Sequence, residues 1–267
     1  MKHIKRGLMS LSLLKDNLKL YVPDISFALI LLILSVIFLN LTGLSGLVQP
    51  TPEQLTQIIK QDLVKIAIIT GIFILMLFLI LIQVSSTKLT MIKNIIQKKK
   101  TTIKEAFDES KIYYTKILSI KLLVLLLFLI PLFIVVVLNF LIKISIIKII
   151  LFTSLTLIWL FITVLLIYKY PVLFLSKTKE PINVLKESYK SVLKNKLFTL
   201  LTILTIVLMF IVSLIITFIF NLLYIQGITS FAMIFNQIIA ILLLFIQITI
   251  SITISIFLFL SFKELSS

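Results

Sequence analysis

The chain has no cysteine, which excludes disulfides, thiolate nucleophiles and cysteine-held metals. It has one histidine, His3, and one arginine, Arg6, among 26 basic residues. A site for bidentate phosphate recognition would favour arginine. The five glycines build no GxxxG face, and the six prolines do not recur in matching halves, as transporters with broken helices require. Charge is the deepest shortage. The 66 residues between Lys196 and Lys263 contain no Asp, Glu, Lys, Arg or His. A soluble protein must punctuate its surface with charge, so this stretch belongs in a bilayer.

What is present agrees. Hydrophobic residues make up 60% of the chain, charged residues 13%, and the mean hydropathy is +1.23. Windows free of charge run over residues 25–52, 66–87, 122–142, 149–168 and 197–262. The last holds two helices, divided at its polar stretch around Asn221, Gln226, Gly227, Asn236 and Gln237. The reading is an all-α, polytopic integral membrane protein forming a single membrane domain. Its six spans lie near residues 25–48, 66–87, 122–142, 149–168, 197–220 and 238–262.

Of the lysines and arginine, 22 fall in the two tails and two loops on one side of these spans. Four (Lys60, Lys65, Lys143, Lys148) fall on the other. The more basic side stays cytoplasmic, so both termini are expected inside a multi-pass cell membrane, of prokaryotic type. The net charge of +16 would suggest nucleic acid in a soluble protein. Here it is topogenic, and the expected partner is the bilayer with its anionic headgroups on the cytoplasmic side; no nucleic acid is expected. The basic start followed by an apolar run reads as an uncleaved anchor, because the run exceeds a signal h-region and five spans follow.

Amphipathic interfacial helices are expected before spans 1, 3 and 5, near residues 3–20, 102–118 and 181–195. Ile4, Leu8, Leu11 and Leu18 recur at helical spacing in the first. In the second, Thr102 and Glu105 have capping-box spacing, and Ile103, Phe107, Tyr114 and Ile117 form the apolar face. Pro181 suits the first turn of the third, with Ile182, Leu185, Tyr189 and Val192 as its stripe. A shift of 78 residues places Phe107, Glu109, Ser110 and Lys116 on Leu185, Glu187, Ser188 and Lys194. Leu14–Leu18 resembles Leu193–Leu197. The simplest account is three units, each an interfacial helix followed by a transmembrane hairpin. On the other face, Thr51-Pro52-Glu53-Gln54 reads as a helix start.

An ionisable group inside a span would be the default functional pointer, and none lies away from the span ends. His3 is expected to be solvated and Asp24 to cap the first span. Pro131 should kink the third span, and Trp159 should pack in the fourth. Gln247, Ser251 and Ser255 form a polar seam at i, i+4 and i+8 on the last span. The seam can be a substrate path, or hydroxyls returned to backbone carbonyls and neighbouring helices. No metal site, cofactor motif or acid–base pair appears, so no enzymatic activity is expected.

One stretch resembles a known family. It comprises Tyr170-Pro171-Val172-Leu173-Phe174-Leu175, Pro181-Ile182, Leu185-Lys186-Glu187-Ser188-Tyr189 and Lys194-Asn195-Lys196-Leu197-Phe198. It is similar to the membrane domain attached to some bacterial glycerophosphodiester phosphodiesterases, and to stand-alone six-span YciC-like inner-membrane proteins. Tyr189 stands where those relatives carry Trp. The resemblance covers about 35 residues and implies the membrane fold without the hydrolytic domain. The expected function is that of a scaffold, a lipid-organising element or an accessory subunit working through the cytoplasmic helices, with a protein partner possible at that face. The alternative is a permease or transporter subunit for an apolar or lipid-like solute, coupled to a cytoplasmic ATPase.

Overall fold

The computed structural model describes residues 2–43, 62–142, 145–222 and 230–266, and the regular structure among them is helical throughout. Helix α1 spans Lys2–Lys15 and is followed by a 3-10 turn at Leu18–Tyr21. Then come α2 (Val22–Leu41), α3 (Leu63–Ile96), α4 (Ile103–Leu141), α5 (Ser145–Leu165), α6 (Lys169–Leu175), α7 (Pro181–Lys194), α8 (Lys196–Leu222) and α9 (Ser230–Ser266). Six segments are long and apolar enough to cross a membrane: Leu18–Leu41, Leu63–Ile96, Ile103–Phe140, Ser145–Leu175, Lys196–Leu222 and Phe235–Ser266. The protein is an all-α polytopic membrane protein. The expected helix start at Thr51–Gln54 and the polar break at Gln226 and Gly227 lie outside the described residues.

The spans differ from their charge-bounded windows in instructive ways. Helix α2 stops at Leu41, short of 48, because Gly43 takes φ +74, the left-handed conformation that ends helices. Helix α3 runs on through Lys88 and Lys93 to Ile96, so these lysines sit on a helix rather than in a loop.

The segment 102–118 is not a separate helix. Thr102 and Glu105 do form the capping box, with Thr102 Oγ1 accepting from the Glu105 amide at 3.2 Å and Glu105 Oε2 accepting from the Thr102 amide at 2.8 Å. From there α4 continues unbroken into the third span. The other two lead-ins each end on an asparagine with nearly the same backbone. Asn17 has φ −134° and ψ 58°, and Asn195 has φ −124° and ψ 53°. Each amide Nδ2 donates to the carbonyl four residues back, Leu13 at 2.8 Å and Ser191 at 3.3 Å. Asparagine satisfies local backbone this way and so interrupts a helix. The middle unit has Ile117 at the matching position, and nothing there breaks the helix. The two asparagines also correct the alignment of the first and third units, from a shift of 179 residues to 178.

The three units close on one another in a cycle. Each hairpin pairs its own spans: α2 with α3, α4 with α5, and α8 with α9. Each lead-in helix packs on the end of the preceding hairpin: the start of α4 on α3, α7 on α6, and α1 on α9. In the centre α3, α6 and α9 touch pairwise. Met91 and Ile92, Leu173 and Phe174, and Phe259 and Phe262 are buried there, with the Phe174 and Phe259 rings 6.0 Å apart. Almost all of the core lies at this end, which also carries α1, α7 and the last turn of α9, and is called the basic end below. Away from it the spans hold little of each other: only 6–22% of each span's apolar window is buried by protein. One cross-link in that zone joins α4 and α5. Trp159 Nε1 donates to the Phe128 carbonyl at 3.2 Å, beside Pro131, whose ring disturbs the local backbone bonding.

Candidate functional site at the basic end

Each lead-in presents a fully buried serine to the bundle, at matching positions: Ser10, Ser110 and Ser188. Small residues let helix backbones approach closely where lipid supplies no hydrophobic drive. Ser10 Oγ donates to the Gly7 carbonyl at 2.7 Å, and Ser110 Oγ to the Phe107 carbonyl at 2.7 Å. Ser188 Oγ reaches across to the Leu165 carbonyl at 3.3 Å. Around Ser110 the polar contacts multiply. Gln83 Nε2 donates to its hydroxyl at 3.0 Å, Thr87 Oγ1 lies 3.1 Å away, and Ser86 Oγ donates to its carbonyl at 2.8 Å.

Polar pairs also bolt the seams between units. Between α1 and α9, Arg6 Nε meets Glu264 Oε2 at 3.1 Å and Arg6 NH1 donates to Ser261 Oγ at 3.3 Å. The guanidinium lies 4.5 Å from the centre of the Phe198 ring. Between α3 and α4, Lys93 pairs with Glu109, whose second oxygen accepts from Asn94 Nδ2 at 2.8 Å. Before α7, Ser176 Oγ donates to Glu187 Oε2 at 3.4 Å. Lys179 Nζ donates to the Leu173 carbonyl at the end of α6, at 2.6 Å. Burial, with Lys93 and Lys116 nearby, pulls the Lys179 ammonium below the ordinary lysine range, against the opposing pull of Glu187. His3 is not simply solvated: its ring lies 4.8 Å from that of Phe198. Burial and the Arg6 charge hold its imidazole below the usual value, with Glu264 working the other way.

A third ion pair joins α2 to α3. Asp24 does not cap α2, whose N-cap residue is Tyr21. Its two oxygens instead accept from Lys88 Nζ at 2.9 and 3.1 Å, with both side chains largely buried. Lys121 Nζ lies 5.9 Å from the centre of the Phe78 ring, and Lys169 Nζ 5.2 Å from that of Tyr170.

The stripes read from apolar periodicity face mainly outward. Ile4, Leu8, Leu11 and Leu18 are exposed, while Arg6, Gly7, Ser10 and Leu14 form the inner face of α1. On α7 the buried face is Val184, Ser188 and Val192. Leu185 is half-buried at its edge, and Ile182 and Tyr189 are exposed. On α4 the buried face is Ala106, Ser110, Ile117 and Ile120, with Phe107 exposed and Tyr114 half-buried. The structure thus places Phe107, Tyr114, Leu185 and Tyr189 on the rim of the bundle. On α9, Gln247 and Ser251 point outward, and Ser255 Oγ donates to the Ser251 carbonyl at 2.9 Å. The opposite face makes the interhelical bond: Thr249 Oγ1 lies 3.0 Å from Tyr21 Oη.

Sequence reasoning missed the contacts of Arg6, the buried serines and the Asp24–Lys88 pair. The shared signal was available for Ser110 and Ser188, since both appear in the 78-residue alignment. Among the described residues no three His, Cys, Asp or Glu side chains converge as metal ligands. Comparison with protein-family models, characterised proteins and solved structures finds no match.

Proposed function

We propose that the protein is a non-enzymatic six-span scaffold of the cell membrane that gathers anionic lipid, and accessory partners, at its basic end. Under this reading the basic end is cytoplasmic. The observation that carries it is the facing of α1 and α7. Each turns a mixed face to the bundle (Gly7, Ser10 and Leu14; Val184, Ser188 and Val192) and leaves larger apolar residues, Ile4, Leu8, Leu11, Ile182, Tyr189 and Leu193, outward. A helix with its apolar residues on the side away from the protein is a helix placed for the membrane interface. The outward setting of Gln247 and Ser251 favours this reading over a polar path along α9.

The test is a bilayer of mixed anionic and zwitterionic lipid. Replacing Ile182, Tyr189 and Leu193 together with serine should leave the bundle folded, because all three are exposed, yet reduce the enrichment of anionic lipid around the protein. Alongside it, Tyr189→Trp in a Trp159→Phe background should be quenched by brominated lipid. Quenching by aqueous iodide instead would show that α7 is a solvated linker and would end the proposal.

A further inference from the structure

We infer that the groove between α8 and α9 is a binding site for one acyl chain of a membrane lipid. The inference goes beyond the gathering of anionic lipid at the basic end, because it concerns a different surface and involves no charge.

The groove holds about 300 Å³, the lower end of the range for small-molecule sites. One wall comes from residues 208–216 of α8 and the other from residues 246–253 of α9. Both stretches lie inside the uncharged window 197–262, on segments long and apolar enough to cross the membrane. Leu11 of α1 completes the lining. Helix α1 borders the groove beside Met209, since a Cβ added to Gly7 would lie 3.4 Å from the Met209 methyl. Elsewhere the rim is continuous with the lipid-facing surface, where Leu208 and Val212 are exposed.

The lining offers nothing to a polar guest. Apart from two threonines, every side chain in it is aliphatic or methionine. Both hydroxyls are committed. Thr249 Oγ1 donates to the Phe245 carbonyl at 2.8 Å and lies 3.0 Å from Tyr21 Oη. Thr253 Oγ1 donates to the Thr249 carbonyl at 2.8 Å. Water needs several polar partners, so it has no reason to stay here. An empty groove would forfeit dispersion contacts along both walls, and in lipid no hydrophobic drive draws the two helices together to close it. Hydrocarbon is the medium at the open rim, and the shape suits it. Both walls follow their spans, so the groove runs with the lipid chains rather than across them. The eight steps from Leu208 to Ile216 make it about 12 Å long, against roughly 15 Å for the hydrocarbon of one leaflet. One chain fits that length, and no side chain in the lining is built to hold a headgroup.

The experiment is native mass spectrometry of the purified full chain in mild detergent, with phosphatidylcholine added stepwise. One copy should be retained at low lipid, whereas glycerophosphocholine, the same headgroup without chains, should not be. Val212→Phe combined with Ile250→Phe fills the groove and should weaken retention of that copy about tenfold, the equivalent of roughly two buried methylenes. The lipid-free thermal midpoint of this double variant should hold or rise, because the rings occupy a void. Leu157→Phe, on the exposed face of α5, should change neither reading. In the wild-type chain, phosphatidylcholine with a diazirine on its acyl chain should label residues 208–216 and 246–253 more heavily than α5. Unchanged retention in the double variant, an equal loss in Leu157→Phe, or a lowered midpoint that shows no void to fill would each overturn the site. Even labelling of all spans would reduce it to ordinary boundary lipid, and retention of glycerophosphocholine would overturn its assignment to the chain. Phosphatidylcholine has no net charge and the outward face of α7 is untouched, so failure here is separable from failure of the α7 serine test.

Discussion

Removing the Arg6 side chain should release α1 from the bundle. Four contributions can be read from its surroundings. The ion pair with Glu264 is partly screened, since the Glu264 side chain is 41% exposed, and is worth about 0.5–1 kcal/mol. The bond to Ser261 contributes about 1 kcal/mol. The guanidinium over Phe198, in a largely desolvated position, adds roughly 1 kcal/mol. The packed stem adds a few tenths of a kcal/mol to about 1 kcal/mol. Shared geometry makes these less than additive, so Arg6→Ala should weaken α1 docking by about 3 kcal/mol. That corresponds to a population of undocked α1 larger by on the order of 100-fold. Limited trypsin digestion in detergent measures it, because cleavage after Lys15 needs α1 to leave α8 and α9, and slow cleavage tracks the open population. Arg6→Lys should fall between, keeping the charge but losing the planar fork. Lys5→Ala, on the exposed face, should cleave as wild type does. The same cleavage rate in Arg6→Ala and wild type would show that α1 is held by something else.

The three buried serines should behave alike. Leucine at Ser10, Ser110 or Ser188 overpacks a close helix contact and should lower stability by about 1–3 kcal/mol, while Tyr189→Ala should have a much smaller effect on the thermal midpoint. Trp159→Phe should cost roughly 0.6 kcal/mol and no more than about 1.7 kcal/mol. Chemical denaturation measures that cost. For His3 the folded pKa lies below the ordinary 6.5, so the unfolded chain takes up the proton more readily. The stability it confers is complete above 6.5 and declines as the pH falls through and below that value. The thermal midpoint should drop between about pH 7.5 and about pH 5.5, and His3→Phe should flatten the drop.

Six spans could be read from charge because charge is what a bilayer excludes, and the capping box at Thr102 and the start at Pro181 were legible because capping is local chemistry. The inner faces were not. In water, apolar periodicity marks the side that a helix buries. For α1 it marks the side left outward, while Gly7 and Ser10 make the protein contact. On α7 the stripe divides, with Ile182 and Tyr189 outward, Leu185 at the edge and Val192 in the core. Helix continuity escaped for a related reason: the difference between α4 and the other lead-ins hangs on one position, Ile117 against Asn17 and Asn195. Arg6 was hidden by its setting in a lysine-rich tail, where nothing in the sequence separated the one guanidinium from its topogenic neighbours.

The seam between α1 and α9 joins residues 255 positions apart, Arg6 and Ser261. A chain made from its amino end inserts its spans in order, so α1 is synthesised first and docks last. Throughout that interval its partner surface does not exist. Under the proposal that this helix lies at the membrane interface, the outward row of Ile4, Leu8, Leu11 and Leu18 would give it somewhere to wait beside the first hairpin. The same row that borders the finished protein would then serve as its holding place during assembly. Truncation of the last span should then leave α1 membrane-bound but open to protease, with the first two spans already in place.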